Sequence, residues 1–167
     1  MNIYFAGTPN SAAEILKSIA LNDLFSIKGV ITQPDKKGKR GNQLIESPVS
    51  LMAKSLNLQT FKPQNLAKEE IQNDFDITNA DVLVVVAYGN LIPTWILESN
   101  IKAINIHYSL LPSYRGASPI QSSLLNNDKK TGVTFMQMSE DLDAGKVIKC
   151  FEVPINNNAV SYTNLTL

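Results

Sequence analysis

The sequence predicts an α/β fold: a doubly wound, mostly parallel sheet with helices on its faces. Three observations predict it. Short apolar runs that stop at turn formers alternate with segments of helical period, the rhythm of strand–helix–strand units. One run, Val82-Leu83-Val84-Val85-Val86, is apolar at every position, as a central strand buried on both faces must be. With 167 residues, 44% of them hydrophobic and 18% charged, the chain can bury a core of ordinary size.

The elements follow in order. Residues 3–6 (Ile-Tyr-Phe-Ala) form a short apolar run ending at Gly7 and read as a buried strand. Thr8-Pro9-Asn10-Ser11 is a turn with capping chemistry, and Ala12, Ile15, Leu16 and Ile19 then share one helical face. Residues 28–32 read as the second strand. From Gln33 to Ser47 the apolar pattern stops, and Gln33-Pro34-Asp35-Lys36-Lys37-Gly38-Lys39-Arg40-Gly41-Asn42 is polar, basic and rich in turn formers. Ser47-Pro48 supplies an N-cap and a proline at the first helical position for a helix over 49–56. A short strand is expected at Thr60-Phe61 and a helix over 66–71. The Val82 run leads into Tyr88-Gly89-Asn90, and Pro93 opens a short helix. Residues 103–107 read as a strand and 109–116 as a shaped loop with Pro112 and Gly116. Ser118-Pro119 is expected to cap a helix over 120–125. Residues 131–138 and 147–153 read as two late strands joined by 139–146, and 161–167 as the first turns of a further helix.

Composition excludes several classes. Lys and Arg total 15 and Asp and Glu total 15, so bulk charge alone does not hold a polyanion and any such contact must be local. Cys150 is the single cysteine; it makes no internal disulfide, and no Cys/His spacing suggests zinc. It reads as a strand residue. The N-terminus lacks the basic flank and long apolar core of a signal peptide, and the Val82 run is too short to span a bilayer. A cytoplasmic monomer with no metal and no membrane association is expected.

In doubly wound sheets ligands bind at the carboxyl ends of the strands, and residues 87–92, 107–116 and 139–145 are expected to leave those ends. His107 is the only histidine. Asn105 lies two residues earlier, so both side chains project from one strand face. Together they offer polar donors without a nucleophile, which suits stabilisation of a developing oxyanion, with His107 able to handle a proton. Asp143, in Asp141-Leu142-Asp143-Ala144-Gly145, is either the acid that organises the imidazole or an Asx-turn residue before Gly145. The turn at Gly7-Thr8-Pro9-Asn10 lacks dinucleotide-binding spacing and offers only a generic helix N-terminus. Lys36, Lys37, Lys39 and Arg40 put four cations in five residues, which reads either as a solvated loop or as a contact for RNA phosphates.

These motifs carry a resemblance. Residues 105–120 read N-I-H-Y-S-L-L-P-S-Y-R-G-A-S-P-I, which resembles the N-x-H-x-S-L-L-P signature of the folate-dependent formyltransferase family and the aromatic-R-G-A-x-P-I stretch after it. Leu142-Asp143-Ala144-Gly145 resembles the family's D-x-G motif. The resemblance implies a Rossmann-like formyltransferase fold, 10-formyltetrahydrofolate as co-substrate, and catalytic roles for Asn105, His107 and Asp143. It places the reduced folate along Tyr88, Gly89, Asn90, Leu91, Ile92, Ser109, Leu110, Leu111 and Pro112, where backbone groups read the pterin edge and Leu91 and Leu110 offer apolar walls.

Within the family, Thr32-Gln33-Pro34-Asp35 followed by the basic loop and Ser47-Pro48-Val49 resembles the insertion of the branch that formylates methionyl-tRNA for translation initiation. Glycinamide ribonucleotide formyltransferases lack that segment. Thr131-Gly132-Val133-Thr134 and Met136-Gln137-Met138 resemble the same branch. The implied partner is initiator methionyl-tRNA, gripped by Lys36, Lys37, Lys39 and Arg40. Three positions depart from the pattern: Asn10-Ser11 stands where the family reads acidic-Phe, and Lys146 where this branch often carries Asp. The resemblance also implies that residues 1–167 are a single catalytic domain lacking its last part and the family's C-terminal β-barrel domain. The alternatives are a formyltransferase for an amino sugar nucleotide and an inactive, truncated folate-binding remnant.

Overall fold

Strand β1 (Asn2–Gly7) is buried from Ile3 onward, and it is placed to be so by parallel neighbours on both sides. β2 (Ser26–Ile31) pairs with it on one edge and β6 (Val82–Val86) on the other. β5 (Thr60–Phe61) adds in parallel to β2. Every residue of β6 is buried, which is why its sequence shows no alternation. Helix α1 (Asn10–Ala20) connects β1 to β2 and buries Ala12, Ala13 and Leu16. The last residue of β1 is Gly7, where a Cβ would lie 2.8 Å from the Ala12 Cβ and 2.9 Å from the Val86 carbonyl. The expected side-chain cap on α1 is not made: Pro9 is the N-cap residue, and the Thr8 hydroxyl donates instead to the Tyr88 carbonyl at 2.7 Å. Helix α2 (Pro48–Ser55) starts as its sequence predicts, with Ser47 Oγ accepting from the Ser50 N–H at 3.0 Å. Pro93 precedes the short α3 (Thr94–Leu97).

The computed structural model describes residues 1–38, 43–66, 80–156 and 159, and the chain divides into two units, Met1–Ala103 and Ile104–Leu167. The strands above build the first. β7 (Lys102–His107) runs into the second, where β8 (Lys130–Gln137) pairs with it antiparallel and β9 (Val147–Pro154) pairs antiparallel with β8. Helix α4 (Pro119–Leu125) precedes β8; Ser118 is its N-cap residue but makes no side-chain cap bond, its carbonyl accepting from the Ser122 N–H and hydroxyl instead. The class is α/β with a mostly parallel sheet, as the sequence predicts.

Two further expectations are corrected. The segment from Gln33 to Ser47 contains a two-stranded antiparallel ladder, β3 (Lys36–Lys37) with β4 (Leu44–Ile45); two residues per strand are too few to leave a period in the sequence. Residues 139–145 do not leave the same end as His107. Ile104 faces Gln137 and His107 faces Thr134, so β8 finishes beside the start of β7 and its loop must reach back. The helix expected over 66–71 falls, after Leu66, outside the described residues, as does the one over 161–167. Among the described residues no helix is long and apolar enough to cross a membrane.

Candidate active site

Strand alternation puts Asn105 and His107 on the same face of β7, and residues 139–145 bring Asp143 to both. Gly145 permits this return: a Cβ there would collide with the Gln137 carbonyl oxygen. Asp143 itself has a left-handed backbone, φ +47°, which is sparsely populated outside glycine and persists only where the surroundings enforce it. Its carboxylate is well surrounded. Asn105 Nδ2 donates to Oδ1 at 3.0 Å and the Gly116 N–H donates to Oδ2 at 2.8 Å. His107 Nδ1 stands 3.6 Å from Oδ2, with both side chains 7% exposed. That distance serves an ion pair with a protonated ring but is too long for a good hydrogen bond. The other ring nitrogen, Nε2, lies 2.9 Å from the Tyr114 carbonyl oxygen.

The loop between His107 and α4 is held by polar groups that sequence reasoning missed. Thr134 is fully buried; its hydroxyl donates to the Ser109 carbonyl at 2.6 Å and accepts from the Leu111 N–H at 3.1 Å. Ser109 Oγ donates to the Ser113 carbonyl at 2.6 Å. Tyr114 donates its phenol proton to Asp128 at 2.6 Å and accepts from Asn126 Nδ2 at 2.8 Å. The one available signal was Thr134 itself, a polar residue in the otherwise apolar stretch from Val133 to Met136. Of the residues expected to hold folate in this unit, Ser109 is buried, Leu110 and Leu111 are half-buried and Pro112 is exposed. Leu110 sits over Gly132, where a Cβ would strike it.

In the first unit, Tyr88, Gly89, Asn90, Leu91 and Ile92 follow β6. Ala87 and Gly89 both have positive φ, +45° and +87°, so the chain turns sharply out of the strand. Tyr88 and Ile92 are buried whereas Leu91 is 82% exposed. Burial pushes the Tyr88 phenol above its ordinary pKa, with the Asn90 side chain acting in the opposite direction. Asn90 also accepts from Gln33 Nε2 at 3.3 Å.

The basic segment of the same unit is a short arm. Lys36 and Lys37 on β3 are exposed, and so are Leu44 and Ile45 on β4; Lys39 and Arg40 lie outside the described residues. Its base is clasped by charge. Lys62 donates to Asp35 at 2.6 Å, before β3, and to Glu46 at 3.0 Å, after β4. Hydrogen bonds from Lys54, Ser50 and Lys62 hold the Glu46 carboxyl down at about 2. Burial alone would lower the Lys62 ammonium, but its bonds to Asp35 and Glu46 outweigh that and raise it.

Solved structures with a similar fold include phosphoribosylglycinamide formyltransferase from Bacillus halodurans, at TM-score 0.73 and 23% identity over 98% of this chain and 84% of that one. Glycinamide ribonucleotide transformylase 1 from Geobacillus kaustophilus gives TM-score 0.75 and 22% identity over 96% and 86%. The enzyme from Coxiella burnetii gives 0.69 and 19% over 97% and 75%. At such identities the likeness carries the fold alone. The sequence profile of the formyl transferase family, however, matches residues 1–166, and the chain belongs to that family.

Proposed function

We propose that the protein transfers a formyl group from 10-formyltetrahydrofolate to the α-amine of methionyl-initiator tRNA. The observation that carries the chemistry is the convergence of Asn105 and His107 on one buried carboxylate, Asp143. Asn105 spends one amide proton on Asp143 and has a second to give to an oxygen that gains charge. His107, when protonated, pairs with Asp143 and adds its own positive charge beside that oxygen. Asp143, directly or through water, passes on the proton that the attacking amine must lose. These groups need no nucleophile among them.

Each unit contributes a segment of the kind a folate ring would use. In the first unit Ala87, Gly89 and Leu91 are exposed, and in the second unit Leu110, held over Gly132, offers an apolar surface. When bound, the folate supplies the formyl group and the nitrogen that leaves it.

The acceptor separates two readings. The names of the fold neighbours point to glycinamide ribonucleotide, a small phosphorylated amine. The arm favours a macromolecule. It projects Lys36, Lys37, Leu44 and Ile45 into solvent, and charges and apolar groups kept out of the core suit a nucleic-acid surface better than a small substrate. The full-length protein given 10-formyltetrahydrofolate should formylate methionyl-initiator tRNA. Formylation of glycinamide ribonucleotide alone would overturn the acceptor and keep the chemistry; formylation of neither would overturn both. Replacing Lys36 and Lys37 together with Ala should weaken tRNA binding and flatten the salt dependence of log K by about one to two units, since each phosphate contact contributes roughly 0.7–0.9. Donor affinity should not change. An unaltered salt slope would reduce the arm to a solvated connection.

A further inference from the structure

We infer that Asp128 and Asn126 act as positioning residues for His107: through Tyr114 they fix the imidazole as its Nε2–H tautomer and leave Nδ1, facing Asp143, as the nitrogen that takes up and releases the proton. The inference rests on the pairing of protonated His107 with Asp143 proposed above.

A neutral imidazole has one ring proton and here has an acceptor on each side. The Tyr114 carbonyl is 2.9 Å from Nε2, and the Asp143 carboxylate is 3.6 Å from Nδ1. A carboxylate is the stronger acceptor in kind, but only the carbonyl is within hydrogen-bonding range. A carbonyl oxygen can only accept, so Nε2 must carry the proton. If the carbonyl swung away, nothing would hold the proton on Nε2. Asp143 would then draw it to Nδ1, and the basic nitrogen would face the wrong way.

Holding that carbonyl is not automatic. Tyr114 has φ +55°, an unfavourable conformation for an aromatic residue, which relaxes unless the surroundings prevent it. What prevents it is the far end of its side chain. The phenol donates to Asp128 at 2.6 Å and accepts from Asn126 at 2.8 Å, and the bond to Asp128 holds the phenol above its ordinary pKa. Both partners sit in the turn that closes α4, where the N–H groups of Asn126, Asn127 and Asp128 return to the carbonyls of Ser122, Leu124 and Ser123. The anchor is therefore firm. Gly116, just beyond, gives its N–H to Asp143, so one stretch of loop aligns both neighbours of the imidazole.

Because His107 is the only histidine, nitrogen-15 NMR of the histidine-labelled, full-length protein reads its tautomer without assignment. With the ring neutral, Nε2 should give a pyrrole-like shift and Nδ1 a pyridine-like one. Tyr114→Phe and Asp128→Ala should each raise the Nδ1–H population and lower the single-turnover formylation rate about 10- to 100-fold, the order expected of a misplaced reacting group. Asp128→Asn still accepts from the phenol and should restore both. A wild-type ring protonated on Nδ1 overturns the inference, as does an unchanged tautomer in folded Tyr114→Phe or Asp128→Ala protein. A tautomer that shifts as expected while formylation does not would leave the positioning intact and overturn the proposed role of His107 in the reaction.

Discussion

Asp143 and Glu46 are both carboxylates with several partners, but Asp143 is 7% exposed and Glu46 23%. Asp143 is met by an amide, a backbone N–H and an imidazole, none of them a permanent cation. Glu46 is met by two lysines and a serine. A buried charge without a fixed counter-ion is costly unless every lone pair is used, so the Asp143 site needs exact placement, including a left-handed backbone at Asp143 itself. A half-open ion pair is forgiving and contributes little to stability. The difference teaches where this chain can tolerate change. On the function proposed above, a polar group at the Asp143 site bears on the chemistry, while one in the arm bears on how a surface is presented.

The sharpest way to break the comparison is to remove the site side chains one at a time. In the full-length protein Asn105→Ala, His107→Ala and Asp143→Ala should each reduce the single-turnover formylation rate by about 100- to 1,000-fold, the usual loss on removing one charge-stabilising donor. Lys62→Met, which opens the clasp of the arm, should leave the rate at saturating acceptor nearly unchanged. Less than a tenfold loss for His107→Ala would take it out of the chemistry, and a Lys62→Met loss as large as that of Asp143→Ala would erase the distinction between the two regions.

Glycines in the two regions allow the next test. Gly145→Ala drives a Cβ into the Gln137 carbonyl, a backbone atom that cannot move without shifting the return of the loop carrying Asp143. Overpacking of this kind costs about 1–3 kcal/mol and should lower both the urea midpoint and the formylation rate. Gly38→Ala in the arm places its Cβ 3.1 Å from Ile45 Cδ1, the end of a flexible and exposed side chain. Its urea midpoint should match the parent's. Equal destabilisation by the two substitutions would mean that the arm is as tightly determined as the site.

A smaller effect is expected from Thr134→Val, which keeps the shape and removes the hydroxyl joining the Ser109 carbonyl to the Leu111 N–H. Leaving such groups buried and unpaired costs about 1–3 kcal/mol each, partly relieved if the loop shifts toward solvent. Chemical denaturation gives the stability loss, and donor affinity should fall with it because the loop carries Ser109, Leu110, Leu111 and Pro112. A loss of stability with unchanged donor affinity would remove this loop from the folate site.

Much of this was legible in the sequence, for reasons that differ by element. β1 and β6 declared themselves because full burial demands unbroken apolar runs, and Ser47-Pro48 predicted the start of α2 because capping is local chemistry. Asn105 and His107 could be placed on one face from strand alternation alone. The antiparallel direction of β8 against β7 was not legible, since direction is set by the connection and leaves no residue pattern; the path of Asp143 to its partners was lost with it. Thr134, Asn126 and Asp128 were passed over because their partners, a backbone carbonyl, a backbone N–H and a phenol, are distant in sequence. The ladder in the arm was hidden by its length. The four cations drew attention there, whereas the residues that shape the arm are Asp35, Glu46 and Lys62.

The finest test returns to Glu46, whose carboxyl is held at about 2 against an ordinary 4.5 by Lys54, Ser50 and Lys62. A carboxyl depressed by folding stabilises the folded state above its unfolded pKa, and that contribution is lost as pH falls through the folded value. Glu46→Gln keeps the shape and one acceptor but loses the charge. The stability gap between parent and variant should therefore be constant from neutral pH down to about 4.5 and narrow steadily below it toward 2. Because the group is partly open and its partners are surface lysines, the gap should be small and should shrink with added salt. Urea titrations of both proteins at several pH values in low salt would measure it. A gap independent of pH would show that the bonds from Lys54, Ser50 and Lys62 do not favour the charged form and that packing alone holds Glu46. A gap that salt leaves untouched would place the clasp in the same protected class as Asp143, and the contrast between the two carboxylates would fail.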